Sequence, residues 1–329
     1  MINELFRAYG IRIHTDDIDP AQVIGALQNF SVGDDVSVER ETVDGNIFPS
    51  LTSILAHAEK MEFSSLNVDK IIDIVGSVGL CARGVSTQSG FEFFMSKIDG
   101  CTPGVDTSAV NMKYSCASND PTNTQKFGLL TPATLTANQG QNAQMGFMFT
   151  PESKTGNAAI VVSEDVSLPS IADTKTRFTL DKRFIINGVS ITSKKSLQIN
   201  FGASMLLEKA DDALAPEWVS LENLSSIITV TGIDPKWALN ANIPRGGKAF
   251  THANCEFYLK KRNPDSATGY YAENTNNHIK GTAAGKAFIT NLASGQGNRV
   301  AETALVMYVE FDGTNAPIAL STNQQIPTS

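Results

Sequence analysis

Histidine is the first residue type to test for chemistry, and the chain has four: His14, His57, His252 and His278. A zinc site needs several His, Cys or carboxylate ligands at short spacing, and these four are scattered. His57-Ala58-Glu59 has the form of a deaminase H-x-E, but no P-C-x-x-C follows it. The stretch Gly281 to Lys286 is one residue short of a phosphate loop, and Ala287 stands where Ser or Thr would hold magnesium; it reads as a plain hairpin loop. No G-x-S-x-G or G-x-G-x-x-G occurs. Adjacent carboxylates (Asp16-Asp17, Asp34-Asp35, Glu164-Asp165, Asp211-Asp212) read as solvated loop charges, since a catalytic pair needs its two pKa values split by environment. Glu92 and Glu256 fall at equivalent strand positions and read as facing solvent or a partner, opposite core Phe93 and Phe257. Cys81, Cys101, Cys116 and Cys255 form no C-x-x-C and read as idle thiols. The sequence thus offers no catalytic residue, metal ligand or cofactor site, and the chain is read as a non-enzyme.

The elements that would position any site are mostly strands. Phe178 to Val189 and Ser196 to Leu207 space their apolar residues by two, with Gly188 at a turn. Ser226 to Thr231 is rich in β-branched residues, which suit a pleated surface. Glu256 to Leu259 is a short strand. Ala301 to Phe311 alternates, with Thr303, Leu305, Met307, Val309 and Phe311 on one face; Gln144 to Thr150 does the same with Met145, Phe147 and Phe149. Short helices are expected at Asn67 to Val75, capped by Asn67, and at Asp234 to Leu239, capped by Asp234 with Pro235 at the first helical position. A further helix is expected over Leu51 to Lys60. The tryptophans, Trp218 and Trp237, lie beside apolar elements and read as core.

The chain repeats itself. Asn157 to Ser163 resembles Asn315 to Ser321 at an offset of 158, and Leu168-Pro169-Ser170 matches Ile326-Pro327-Thr328 at the same offset. Gly90 to Met95 aligns with Asn254 to Leu259, Asn111-Met112-Lys113 with His278-Ile279-Lys280, and Gln139-Gly140 with Gln296-Gly297. Lys60 to Ile72 aligns with Ile227 to Leu239, and Leu27-Gln28 with Leu197-Gln198. These pairs define a tandem duplication: copy one at 1–170 and copy two at 171–329. The fold class expected is mainly β, two duplicated β-sandwich or barrel domains, each with one flanking short helix.

With 329 residues and a net charge of −8, the chain is too acidic for broad nucleic-acid binding, which needs clustered Lys and Arg. No apolar run reaches the ~18 residues of a membrane span, and the charged N-terminus does not read as a secretory signal. Charge divides unevenly: copy one has 10 basic and 20 acidic residues, copy two 16 and 14. One reading of that split is complementary potentials between copy one of one subunit and copy two of the next.

The ordered segments DGNIFPS, GFEFFMSKI, NMKYS, LTPATLTANQGQNA, HIKGTAAG, AFITNLASGQGN and EFDGTNAPIALST resemble those of a bacteriophage virion protein. The chain is similar to the two-domain major tail proteins that build the tail tube of long-tailed phages. That resemblance implies β-sandwich or barrel domains and homotrimeric rings of six domains, stacked into a hollow tube through which DNA passes without specific binding. It implies a virion tail location after assembly in the host cytoplasm. The other tail proteins (tape measure, tail terminator and distal tail protein) are then its partners, and there is no membrane, cofactor or active site to carry over. The lumen is expected to be net negative, mostly from copy one, so as to repel phosphate. The insertions Gly100 to Ala109 and Asn263 to Asn277 are expected to reach the next ring. Two alternatives share the repeat or the strand content: a trimeric double jelly-roll capsid protein and a glycan-binding β-sandwich module, which would expose Trp and Tyr.

Overall fold

A computed structural model describes residues 5–15, 18–41, 51–75, 83–84, 91–99, 102–103, 111–116, 128–153, 159–171, 176–191, 193–211, 213–232, 242–244, 246–294 and 302–327. It is mainly β, as the alternating patterns predict. In chain order the first half holds β1 (Leu5–Thr15), β2 (Ile18–Ile24), β3 (Leu27–Asp34), β4 (Ser37–Glu41), β5 (Leu51–Ala56) and β6 (Glu59–Ser65). Helix α1 (Val68–Val75) follows, then β7 (Arg83–Gly84), β8 (Phe91–Asp99), β9 (Thr102–Pro103), β10 (Met112–Cys116), β11 (Gly128–Asn138), β12 (Gln144–Pro151) and β13 (Val161–Ser163). The second half continues with β14 (Phe178–Ile186), β15 (Val189–Ser190), β16 (Lys194–Asn200), β17 (Ala203–Glu208), β18 (Trp218–Leu224) and β19 (Ile227–Gly232). It ends with β20 (Lys248–Phe250), β21 (Cys255–Lys261), β22 (His278–Ala283), β23 (Gly285–Ser294), β24 (Glu302–Val309) and β25 (Ile318–Gln324).

All strand pairs are antiparallel. One sheet runs β13-β10-β8-β1-β2, with β9 on β8; another runs β15-β14-β21-β22-β25. A ten-stranded sheet, β20-β23-β24-β19-β16-β11-β12-β6-β3 with β7 on β11, spans both halves of the chain. Two hairpins, β4-β5 and β17-β18, stand apart. Phe91 stacks on Phe149 with ring centres 4.5 Å apart and meets Phe63 at 5.6 Å, which locks the β8 sheet face to face with the ten-stranded one. One apolar cluster runs through both halves, from Ile11, Phe91 and Phe147 to Leu197, Phe257 and Met307. Each such buried side chain contributes roughly 1.5–3 kcal/mol.

The local chemistry explains the punctuation. Asn187 and Gly188 both take positive φ (51° and 78°), the signature of a two-residue hairpin turn joining β14 to β15. Asn67 stands at the start of α1: its carbonyl accepts from the Ile71 N–H at 3.3 Å, and its side-chain oxygen accepts from Arg177 at 3.0 Å. Several expectations need correction. Leu51 to Lys60 is not helical; it forms β5 and the start of β6, interrupted where Ala58 and Asp35 exchange backbone hydrogen bonds. The partner strands β3 and β4 outbid the local helical pattern. Ser196 to Leu207 is two strands, broken at Gly202 (φ 58°). Phe311 lies past the end of β24 and is 65% exposed, and Trp218 is 51% exposed rather than core. The helix expected at Asp234 to Leu239 and Trp237 lie outside the described residues.

Candidate assembly surface

The residues singled out for chemistry hold structure together instead. His278 is fully buried: Nδ1 accepts from the Lys261 N–H at 3.1 Å, and Nε2 donates to the Ala272 carbonyl at 2.9 Å. Burial lowers its pKa, which favours this neutral tautomer. His252 Nδ1 lies 3.0 Å from Thr282 Oγ1, and His57 Nδ1 lies 2.6 Å from Asp34 Oδ2. Among the described residues, no three His, Cys, Asp or Glu gather to hold a metal. Cys116 and Cys255 are buried and form no disulfide, and burial pushes both thiols up to about 12. Gly281 to Lys286 belongs to β22 and β23, and the Phe257 ring lies so close over Gly281 that a Cβ would collide with it. Cys81, Cys101, Asp16, Asp17 and the side chain of His14 lie outside the described residues.

Glu92 does not face solvent. It is 4% exposed, ion-paired with Arg12, and accepts from Lys113 at 2.8 Å. Glu256, less buried, accepts from Lys280 and from the Tyr258 hydroxyl, both at 2.8 Å. Burial opposes it, but the hydrogen bonds from Lys280 and Tyr258 together hold its carboxyl below the ordinary value. Both carboxylates are therefore structural anchors for their sheets.

The feature that stands out is a joint between the halves. Strand β16 pairs with β11 over Thr134↔Asn200 to Asn138↔Ser196, which makes the ten-stranded sheet continuous. The β17-β18 hairpin leans across this joint. Its connecting loop accepts from the first half twice: Leu214 O from the His57 N–H and Pro216 O from the Ser153 N–H, both at 2.8 Å. The Val219 N–H donates to Glu152 Oε1 at 3.1 Å. Ser153 is 4% exposed beneath it. Cations of the second half also cross: Lys209 Nζ donates to Leu55 O at 3.2 Å and Arg262 Nη2 to Gly140 O at 2.6 Å. Helix α1 packs against β25, with Thr322 Oγ1 donating to Asp73 at 2.9 Å.

No protein-family model and no curated protein matches the chain.

Among the described residues, the ten-stranded sheet leaves two edges open. Strand β3 pairs there only with β6. Strand β23 pairs with β20 at Gly285 to Ala287, and beyond these no described strand covers that edge. Near them lie apolar side chains in water: Val32 (36% exposed), Val38 (47%), Ile54 (49%), Tyr308 (49%) and Phe311. A shallow groove of about 380 Å³ crosses the sheet beside β3, lined by Phe30 and Met148 as well as by Ser31, Glu62, Ser64 and Gln144. It has no exposed tryptophan on its walls, as a sugar platform would. Sequence reasoning missed these surfaces because an alternating strand shows which face is apolar, not which edge is unpaired.

Proposed function

We propose that the chain is a structural virion protein, the major tail-tube protein of a long-tailed bacteriophage, and that three copies form a ring of six like domains. The reading begins with the duplication of 1–170 as 171–329. The observation that carries it is the recurrence of register faults. The bulge at Ser37/Val38 in β4-β5 recurs 167 residues later at Ser204/Met205 in β17-β18. The fault at Leu27/Asn29 recurs 167 residues later at Lys194/Ser196. The fault at Pro132/Thr134 recurs 157 residues later at Ile289/Asn291. Bulges are specific inserted features, not a general product of strand pairing. The order β13-β10-β8-β1-β2 also reads strand for strand as β25-β22-β21-β14-β15. The same registers reset one alignment: Leu197 corresponds to Phe30, not to Leu27.

Like domains that meet once within a chain have the means to meet again between chains. The edge used by β16 is open on β3, and the edge used by β11 is open on β23. Val32 matches Ile199, which the internal joint covers completely, yet Val32 is 36% exposed. Val161 and Val162, 54% and 49% exposed, match Ala319 and Leu320 on the strand that α1 covers. A head-to-tail contact of this kind closes into a ring when each step turns by about sixty degrees, and closure removes the exposed edges. Three chains then supply six domains, and the rings stack into the tube, with tape measure, terminator and distal tail proteins as partners. We assign the lumen to the exposed face of the ten-stranded sheet, where Ser31, Thr134, Thr136, Gln198, Thr229 and Thr231 offer hydroxyls and amides without clustered Lys or Arg. Low adhesion to DNA then comes from a wall without clustered Lys or Arg. Negative-stain microscopy of the purified protein tests the reading. Threefold rings stacked in a hollow tube are expected; a monomer under all conditions, a sixfold ring of whole chains or a closed shell overturns it.

A further inference from the structure

We infer that the β4-β5 hairpin is an intermolecular clasp that closes over Glu310 and Phe311 of a second copy of this chain. The inference rests on the ring reading and goes beyond the pairing of edges, because it names a separate contact with its own residues. The internal joint shows what the hairpin would do. There, β17-β18 covers Glu152 and Ser153, with the Val219 N–H on the Glu152 carboxylate and Pro216 O on the Ser153 N–H. At the offset of 158 that relates β12 to β24, Glu152 corresponds to Glu310 and Ser153 to Phe311. At the offset of 167 that relates the hairpins, Val219 corresponds to Thr52.

The exposures differ in the direction a missing clasp requires. Ser153 is 4% exposed under its hairpin, whereas Phe311 is 65% exposed. Met205 and Leu221, on the docked hairpin, are half-buried; their counterparts Val38 and Ile54 are 47% and 49% exposed. Every residue of β4 is exposed. An apolar hairpin face, an apolar receiving ring and a carboxylate acceptor at the same place as in the internal joint are the parts of one contact, seen uncombined. The geometry of the joint also fixes direction. The chain whose β3 edge is used offers the hairpin, and the chain whose β23 edge is used receives it.

The test is a pair of cysteines, Thr52→Cys with Glu310→Cys, introduced together and oxidised. Covalent dimers and trimers on a non-reducing gel are expected from assembled protein. Neither single variant should give them, and the internal pair Val219→Cys with Glu152→Cys should cross-link within one chain. Phe311→Ser, which copies the residue at the matching position and alters only an exposed site, should raise the concentration needed for assembly at least tenfold. Threefold rings that form without the 52–310 cross-link, and that tolerate Phe311→Ser, overturn the clasp and leave the ring standing. An absence of rings together with an absence of cross-links overturns both.

Discussion

Lys194 is the least comfortable residue in the described fold. It is 4% exposed, and its Nζ has no hydrogen-bond partner among the described residues. Burial lowers its pKa to about 7, with Asp181 pulling only weakly the other way. The unfolded chain keeps an ordinary lysine near 10.5. Between these values the unfolded state binds the proton and the folded state does not, so this group makes stability rise with pH from about 7 to about 10. Lys194→Met removes the penalty. The variant should be more stable than the parent by a constant margin below about pH 7, and the margin should shrink towards zero near pH 10. Urea unfolding of both proteins at pH 6, 8 and 10 measures it, and a margin independent of pH would show that the ammonium is not the source. The strand around Glu92 was legible in the sequence, but the burial of Glu92 was not, because Arg12 reaches it from a strand eighty residues away.

At the scale of the element, alternation placed β12, β19, β21 and β24, and Gly188 placed the turn after β14. What it could not place were the joins. Residues 51–60 have an apolar spacing compatible with a helix, and only β3 and β4, brought alongside by the chain fold, make them strands. Gly128 and Gly285 open strands β11 and β23, with φ of 146° and 150°. A Cβ at Gly285 would collide with the carbonyl oxygen of Tyr308 on the neighbouring strand, and one at Gly128 with that of Thr150. Gly140 also has a positive φ, 74°, but nothing lies near it. Gly285→Ala therefore bears both strain and a backbone clash that neither strand can relieve by rotating a side chain. It should cost about 1–3 kcal/mol, and Gly140→Ala about 1 kcal/mol. Denaturant midpoints at constant slope give the order, and equal losses at the two sites would remove the clash from the account.

At the scale of the whole molecule, the proposed duplication rests on offsets that drift only between 157 and 167, as loop insertions would make them do. The charge asymmetry was less informative. Among the described residues, Lys209 and Arg262 cross the joint to the backbone carbonyls of Leu55 and Gly140, and Arg177 crosses to the Asn67 side-chain oxygen, so these contacts are made to neutral oxygens. Apolar edge positions matter more, and Val32 is where that can be tested. In a lone chain Val32 is partly exposed, and Val32→Asp should change stability by no more than about 0.5 kcal/mol, as surface substitutions do. In a ring Val32 takes the place that Ile199 holds in the internal joint, with no water. A carboxylate there would be buried without a partner, a cost of about 3 kcal/mol or more, and each 1.4 kcal/mol is tenfold in affinity. Val32→Asp should thus weaken every inter-chain joint about a hundredfold, leaving a folded monomer at concentrations where the parent sediments as rings. Ile199→Asp should instead unfold the chain, because its joint forms during folding rather than after it. If Val32→Asp assembles at the parent's concentration, the open β3 edge is not the surface that joins the chains, and the ring must close through another face.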